Sequence, residues 1–129
     1  MSAKAKVLLV DDDRDLVETL RTVLEKGGYE VDAAYDGAQC LEKVKTDPPD
    51  LVVLDIMMRT IGDGMYVAQH LREEEATTHI PIIVASGINR VPPYNLWPDE
   101  AWLPVDVFLE KPVEPDRLLE SVRNTLAGG

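Results

Sequence analysis

The chain has 129 residues, with 13 Lys+Arg against 24 Asp+Glu and a formal net charge of −11. Apolar residues make up 45% and charged residues 29%, an ordinary globular composition for which one domain over residues 1–129 and one core are expected. No apolar run reaches the ~18 residues of a membrane-crossing helix, and the acidic balance opposes direct binding to nucleic acid or anionic lipid.

Along the chain, two periodicities alternate. Lys6 to Val10 is a short apolar run of the kind covered on both faces, and it stops at Asp11-Asp12-Asp13. Leu16, Val17, Leu20, Val23 and Leu24 then recur at helical spacing until Gly27-Gly28 supplies a C-cap. Tyr29 to Ala34 reads as a second strand. Asp36-Gly37 opens a second helix with Leu41 and Val44 inward, ended by Pro48-Pro49. Leu51 to Leu54 is the most strand-like run, and Asp55 follows it. A Gly-containing loop ending in Asp63-Gly64 precedes a third helix with Val67, Ala68 and Leu71, closed by an acidic end at Glu73 to Glu75. Ile80 to Ala85 is a fourth strand, with Pro81 at its start. Val105 to Leu109 is a fifth, and a last helix begins at Pro115, with Leu118, Leu119, Val122 and Leu126 as its stripe.

Between the fourth and fifth strands a fourth helix is due, yet Pro92, Pro93, Pro98 and Pro104 fall there. Each interior proline costs a helix about 3 kcal/mol, so any helix is short or irregular, with 98–103 as the best stretch. Trp97 and Trp102 lie in the same segment. They either pack a long loop onto the sheet or form a partner surface. The sole Cys40 excludes an internal disulfide, and Met1 to Lys6 lacks a secretory h-region, so a cytoplasmic location is expected. Cys40 reads as inert, and His70 and His79 as surface residues.

Strands alternating with helices imply parallel βαβ crossovers. The expected fold is α/β, a flavodoxin-like (βα)5 three-layer sandwich with a five-stranded parallel sheet in order 2-1-3-4-5. In such a sheet ligands bind at the carboxyl ends of the strands, beside the switch in strand order. Asp11, Asp12 and Asp13 stand at the end of the first strand, Asp55 of the third, Ser86 of the fourth, and Lys111 two residues past the fifth. The second strand ends only in alanine and tyrosine. Neighbouring strands lie ~4.8 Å apart, so Asp11, Asp12 and Asp55 share one pocket. Three such carboxylates need a cation, and a small all-oxygen site suits Mg²⁺. A metal, a carboxylate nucleophile, a lysine and a hydroxyl are the parts for accepting a phosphoryl group. Asp55 is then the acceptor, Lys111 offsets charge and Ser86 donates a hydrogen bond. Singly, each has a plainer role: Asp12 or Asp13 as a helix cap, Ser86 as a cap, Lys111 on the surface, Asp55 in a turn.

The motifs VLLVDDD at 7–13, LVVLDIMM at 51–58, DG at 63–64, PIIVAS at 81–86 and FLEKP at 108–112, in this order and spacing, resemble the receiver domain of two-component response regulators over nearly the whole chain. The resemblance implies phosphorylation of Asp55 by a sensor histidine kinase or phosphotransfer protein, with Mg²⁺ held by Asp11, Asp12, Asp55 and the backbone carbonyl of Met57. It further implies Ser86 and Phe108 as switch residues, a cis Lys111-Pro112 bond and a downstream protein target. The family also dimerises through the face around its fourth helix, which leaves a homodimer open. Three departures stand out: Arg59 replaces the usual proline in a loop one residue longer, Gly87 follows Ser86 where alanine is usual, and 87–104 is proline-laden. With no output domain expected in the chain, a stand-alone receiver is the favoured reading. The alternatives are a pseudo-receiver that binds partners without phosphorylation, and a haloacid-dehalogenase-type phosphatase with Asp11 as nucleophile and Asp13 as acid/base. Against the phosphatase, Asp15 stands where threonine or valine would follow and no later acidic pair supplies the metal.

Overall fold

The structure is a computed structural model that describes residues 4–55, 61–86, 107–110 and 113–128. Five strands, β1 (Lys6–Val10), β2 (Glu30–Ala34), β3 (Leu51–Asp55), β4 (Ile82–Ser86) and β5 (Val107–Glu110), form one sheet in the order β2-β1-β3-β4-β5. Every neighbouring pair is parallel. The helices are α1 (Arg14–Lys26), α2 (Gly37–Thr46), α3 (Ile61–Glu73) and α4 (Pro115–Gly128). The doubly wound α/β architecture and the reversal of strand order between β1 and β3 are as the alternating periodicity predicts. The expected short helix at 98–103, Trp97, Trp102 and the Lys111-Pro112 bond lie outside the described residues.

A parallel strand sends alternate side chains to opposite faces, and the core divides on that rule. Leu8, Val10, Val52, Leu54, Ile82 and Val84 pack under α2 and α3 with Cys40, Val44, Val67, Ala68 and Leu71. Val7, Leu9, Val31, Leu51, Val53 and Ile83 pack under α1 and α4 with Val17, Leu20, Leu24, Leu118 and Val122. Both faces being covered is why the strands read as unbroken apolar runs. Each fully buried Leu or Val contributes about 1.5–3 kcal/mol relative to exposure.

The helix ends follow local chemistry. Asp13 caps α1, its Oδ1 accepting from the Leu16 N–H at 3.1 Å. Asp36 caps α2 by accepting from the Gln39 N–H at 2.8 Å, while Gln39 Oε1 accepts from the Tyr35 N–H at 2.9 Å, a near relative of the capping box. At the far end of α1, Gly28 has φ +99, and the Tyr29 and Gly28 N–H groups donate to Leu24 and Glu25 carbonyls, each at 3.1 Å. This is a Schellman end, which requires the left-handed residue that only glycine adopts freely.

Some boundaries move. Helix α3 starts at Ile61, so Asp63-Gly64 lies within its first turn and not before it. That turn tolerates both residues because its N–H groups have no intrahelical acceptors to begin with. Ile80 and Pro81 precede β4, and the Pro81 carbonyl accepts from the Val52 N–H at 3.0 Å. A proline there lacks only a donor, which the ladder does not require of it. The turn before β4 is fixed by Thr77, whose buried hydroxyl donates to the Leu71 carbonyl at 2.6 Å, and by Arg72 Nη1, which donates to Ile80 at 2.6 Å. His79 is exposed as expected. His70 is not simply on the surface: it is half-buried, 5.8 Å from the Tyr66 ring and 3.7 Å from Glu74.

Two expectations follow from this packing. Cys40 is 0% exposed, and burial pushes its thiol up to about 12, so thiolate is scarce at neutral pH. A disulfide reagent added to native protein at pH 7–8 should react only at the global unfolding rate, and at once in denaturant; prompt native labelling would contradict the core placement. The second concerns Asp32, whose Oδ1 accepts from Lys43 Nζ at 2.7 Å. Desolvation acts to raise the Asp32 carboxyl, but hydrogen bonds from Lys43 and the Ala33 N–H, with the charges of Lys43 and Lys6, outweigh it and hold it below its usual value of 3.8. The folded state therefore favours the carboxylate, so this stability is complete above the unfolded-state value and is lost as pH falls through the lower folded value. Asp32→Asn should cost under about 1 kcal/mol near pH 7, since the pair is partly solvated. The difference from wild type in denaturant melts should shrink below pH 3.8.

Candidate functional site

The carboxyl edge of the sheet gathers the acidic residues. Val10 is in register with Leu54, so Asp11, one residue past β1, and Asp55, the last residue of β3, stand side by side. The Asp11 N–H donates to the Ala34 carbonyl of β2 at 3.1 Å, which extends the ladder one step and fixes where its side chain leaves the sheet. Asp11 Oδ1 then accepts from the Asp13 N–H at 2.9 Å, turning the chain into α1.

This turn sorts the three consecutive aspartates. Asp11 is 7% exposed and Asp55 4%, whereas Asp12 is exposed. One carboxylate oxygen from each of Asp11, Asp12 and Asp55 lies within 4.8 Å of the others. Asp13 is the helix cap, which settles the choice that the sequence left between Asp12 and Asp13. Its carboxylate is committed to Leu16, so the acid/base group required by a dehalogenase-type phosphatase is tied to the backbone.

Two buried carboxylates and a third within reach carry a concentrated negative charge on the low-dielectric side of the protein surface. The donors are all hard oxygens, the set that Mg²⁺ prefers. Octahedral ligands at 2.0–2.1 Å are separated by ~2.9 to ~4.2 Å, so a shift of under an ångström closes the observed spread onto one ion. Beneath the carboxylates the wall is apolar. Asp11 and Asp55 border a cavity of about 10 Å³ with Leu9, Leu16, Val53, Ala85 and Val113, room for about one water. Apart from the two carboxylates the floor is apolar, and charge at the rim is only weakly screened from below.

Asp55 is in register with Ala85, so Ser86, the next residue and the end of β4, stands one step further along the same edge, paired with Glu110 of β5. Phe108 lies on β5 in register with Val84. Lys111 directly follows β5 in sequence, and it falls outside the described residues together with Met57 and Arg59. The structure thus brings Asp11, Asp12 and Asp55 together and sets the backbone of Ser86 on the neighbouring strand β4 and that of Phe108 on β5, one strand further out. One feature was missed in the sequence. The second strand's end, read as chemically empty, carries Tyr35 beneath the Arg14 guanidinium, 4.0 Å from the ring centroid. An arginine at the first turn of a helix beside an aromatic at a neighbouring strand end was the available signal.

Comparison with known proteins agrees with this arrangement. The family described as the response regulator receiver domain matches residues 7–123. Response regulator MprA of Mycobacterium ulcerans is 36% identical over 121 residues, covering 94% of this chain and 50% of that protein. The chain thus spans about half the length of the curated relatives it matches. Among solved structures, the chemotaxis response regulator CheY4 of Vibrio cholerae superposes with a TM-score of 0.82 at 26% identity, over 95% of this chain and 98% of that one. A sensor protein from Polaromonas sp. JS666 gives 0.84 at 28% identity, over 98% of each. With a family match across nearly its full length and a carboxylate cluster at the sheet's carboxyl edge, the chain belongs to the response regulator receiver domain family.

Proposed function

We propose that Asp55 accepts a phosphoryl group from a sensor histidine kinase or phosphotransfer protein, and that the modification alters a surface read by a downstream protein. The observation that carries this reading is the meeting of Asp11, Asp12 and Asp55 within 4.8 Å at the ends of two adjacent strands. Asp55 suits the acceptor role because it ends β3, in register with Ala85, at the edge of the sheet over an apolar wall. In the transfer an Asp55 Oδ attacks phosphorus. The bond from phosphorus to the donor nitrogen breaks, and its electron pair leaves with the imidazole. Asp11, Asp12 and Asp55, with the Met57 carbonyl, would hold Mg²⁺. When bound, that ion offsets carboxylate charge and accepts phosphoryl oxygens as ligands. Lys111 supplies a further positive charge and Ser86 a hydroxyl donor to the transferred group.

A receiver works as a phosphoacceptor and switch, and not as a turnover enzyme on a separate substrate. Phosphorylation replaces one negative charge by about two and adds acceptor oxygens. Ser86 on β4, next to β3, and Phe108 on β5 beyond it are the residues through which that change would bias two arrangements of the far edge of the sheet. The absence of any helix long and apolar enough to cross a membrane among the described residues supports action in the cytoplasm. The net charge of −11 supports protein rather than nucleic-acid partners for these residues.

Incubation with a small phosphodonor such as acetyl phosphate and Mg²⁺ should add one phosphoryl group, measured by intact mass. Asp55→Asn should abolish the addition, and so should chelation of the metal. Uptake that persists in Asp55→Asn would overturn the assignment, and binding of a partner equally by wild type and Asp55→Asn would favour the pseudo-receiver. Calorimetric titration with Mg²⁺ should show one site. Asp11→Asn and Asp12→Asn should each weaken it tenfold or more, a loss of ~1.4 kcal/mol or greater. An unchanged affinity in either variant would remove that residue from the ligand set.

A further inference from the structure

At the edge of the carboxylate cluster stands a guanidinium whose hydrogen-bonding edge is unspent. Arg14 is the first residue of α1, two past Asp12. Its guanidinium carbon lies 4.0 Å from the centroid of the Tyr35 ring. Tyr35 directly follows β2, whose Ala34 carbonyl accepts from the Asp11 N–H at 3.1 Å. The Arg14–Tyr35 stack therefore occupies the carboxyl end of β2, beside Asp11 and on the side opposite Asp55. Tyr35 is itself anchored, its N–H donating to Gln39 Oε1 at 2.9 Å. Aspartates stand at 12, 13 and 15, yet among the described residues Arg14 makes no ion pair or hydrogen bond and rests on the ring instead.

Stacking on the ring holds the guanidinium, and with it a permanent positive charge, in place at this edge of the sheet. Two strand intervals of ~4.8 Å separate β2 from β3, so the end of β2 on which the stack rests lies about 10 Å from the acceptor's strand. That is too far to touch the transferred phosphoryl group. It is close enough to attract an anionic donor as it arrives.

We infer that the charge of Arg14, held in place by Tyr35, attracts the anionic phosphodonor to the rim of the site and so raises the rate of productive encounter with Asp55. The inference rests on Asp55 being the acceptor. With acetyl phosphate as donor, an Asp55 Oδ attacks phosphorus, the bond from phosphorus to the acetyl oxygen breaks, and acetate departs with the electron pair. Arg14 takes no part in those bonds. It is a positioning residue acting on the donor before transfer. A unit charge acting on a dianion across about 10 Å of water changes its local concentration about fourfold at low ionic strength, and this contribution largely disappears near 1 M salt, where the screening length is about 3 Å.

The test measures the second-order rate constant for labelling by acetyl phosphate, with Mg²⁺ in excess, at low and high salt. Arg14→Ala should lower it about fourfold at low salt and leave it near wild type at high salt. Arg14→Lys, which keeps the charge, should recover most of the loss. Tyr35→Phe should match wild type, and Tyr35→Leu, which removes the ring beneath the guanidinium, should fall between wild type and Arg14→Ala. Mg²⁺ affinity should not weaken in any of them, since no metal ligand is changed. An unchanged rate in Arg14→Ala, a loss of equal size at both salt concentrations, or failure of Arg14→Lys to rescue would each overturn the inference, as would weakened Mg²⁺ binding. Labelling of wild type at Asp55 without any Arg14 effect would sink this inference alone. Absence of labelling in wild type would sink the acceptor assignment and this inference with it.

Discussion

Everything at the functional edge depends on the parallel register between β1 and β3. Val10 opposite Leu54 is what puts Asp11 beside Asp55, and a slip of one residue would send one carboxylate to the opposite face of the sheet. The register is held by burial on both faces. Leu8, Val10, Val52 and Leu54 lock into one half of the core, and Val7, Leu9, Leu51 and Val53 into the other. Moving either strand by one position would exchange the two sets, against helix surfaces shaped for the original one. Apolar packing at the middle of the sheet thus fixes the spacing of charges at its end.

That arrangement is in tension with itself. Asp11 and Asp55 are 7% and 4% exposed and stand over a floor of Leu9, Leu16 and Val53 that itself supplies no polar group. Backbone donors help, as the Asp13 N–H does for Asp11. Closely grouped oxygen donors gain far more from a shared cation. The carboxylates stand at the last residue of β3 and one residue past β1, where the strands end. Strand ends can therefore carry a cluster that the middle of a sheet could not.

Much of this was legible in the sequence because the two signals involved are periodic and local. Unbroken apolar runs at 7–10 and 51–54 mark doubly covered strands, helical spacing from Leu16 to Leu24 marks the crossover, and the fold class then fixes which strand ends are neighbours. The division of labour within Asp11-Asp12-Asp13 was less legible. Which of three identical side chains caps the helix depends on where the turn begins, and the backbone bond from Asp11 to Ala34 decides that. The Arg14–Tyr35 stack was legible only faintly, as an arginine opening a helix and an aromatic at the end of a neighbouring strand. The two residues are far apart in sequence and meet only because β2 lies beside β1, and a tyrosine after a strand has no chemistry of its own to attract notice. The start of α3 moved for a similar reason: Asp-Gly signals a turn, but the first turn of a helix accepts the same residues.

The overall charge of −11 sharpens the chemical problem. A phosphodonor is an anion, and at long range it meets a protein that repels it. Asp11, Asp12, Asp55 and Lys111 together account for only −2 of that charge, so the repulsion comes mostly from solvated acids such as Glu73, Glu74 and Glu75. Screening at physiological ionic strength confines those acids to within about 8 Å of themselves, and they lie at the C-terminal end of α3, whereas the site lies at the carboxyl edge near the start of α1. What a donor meets on final approach is therefore set by the charges of the edge itself. There, a guanidinium laid across Tyr35 stands near three grouped carboxylates, so the local field differs from that of the acidic molecule as a whole. Such a division permits one surface to discourage nucleic acid and another, a few residues wide, to receive phosphate.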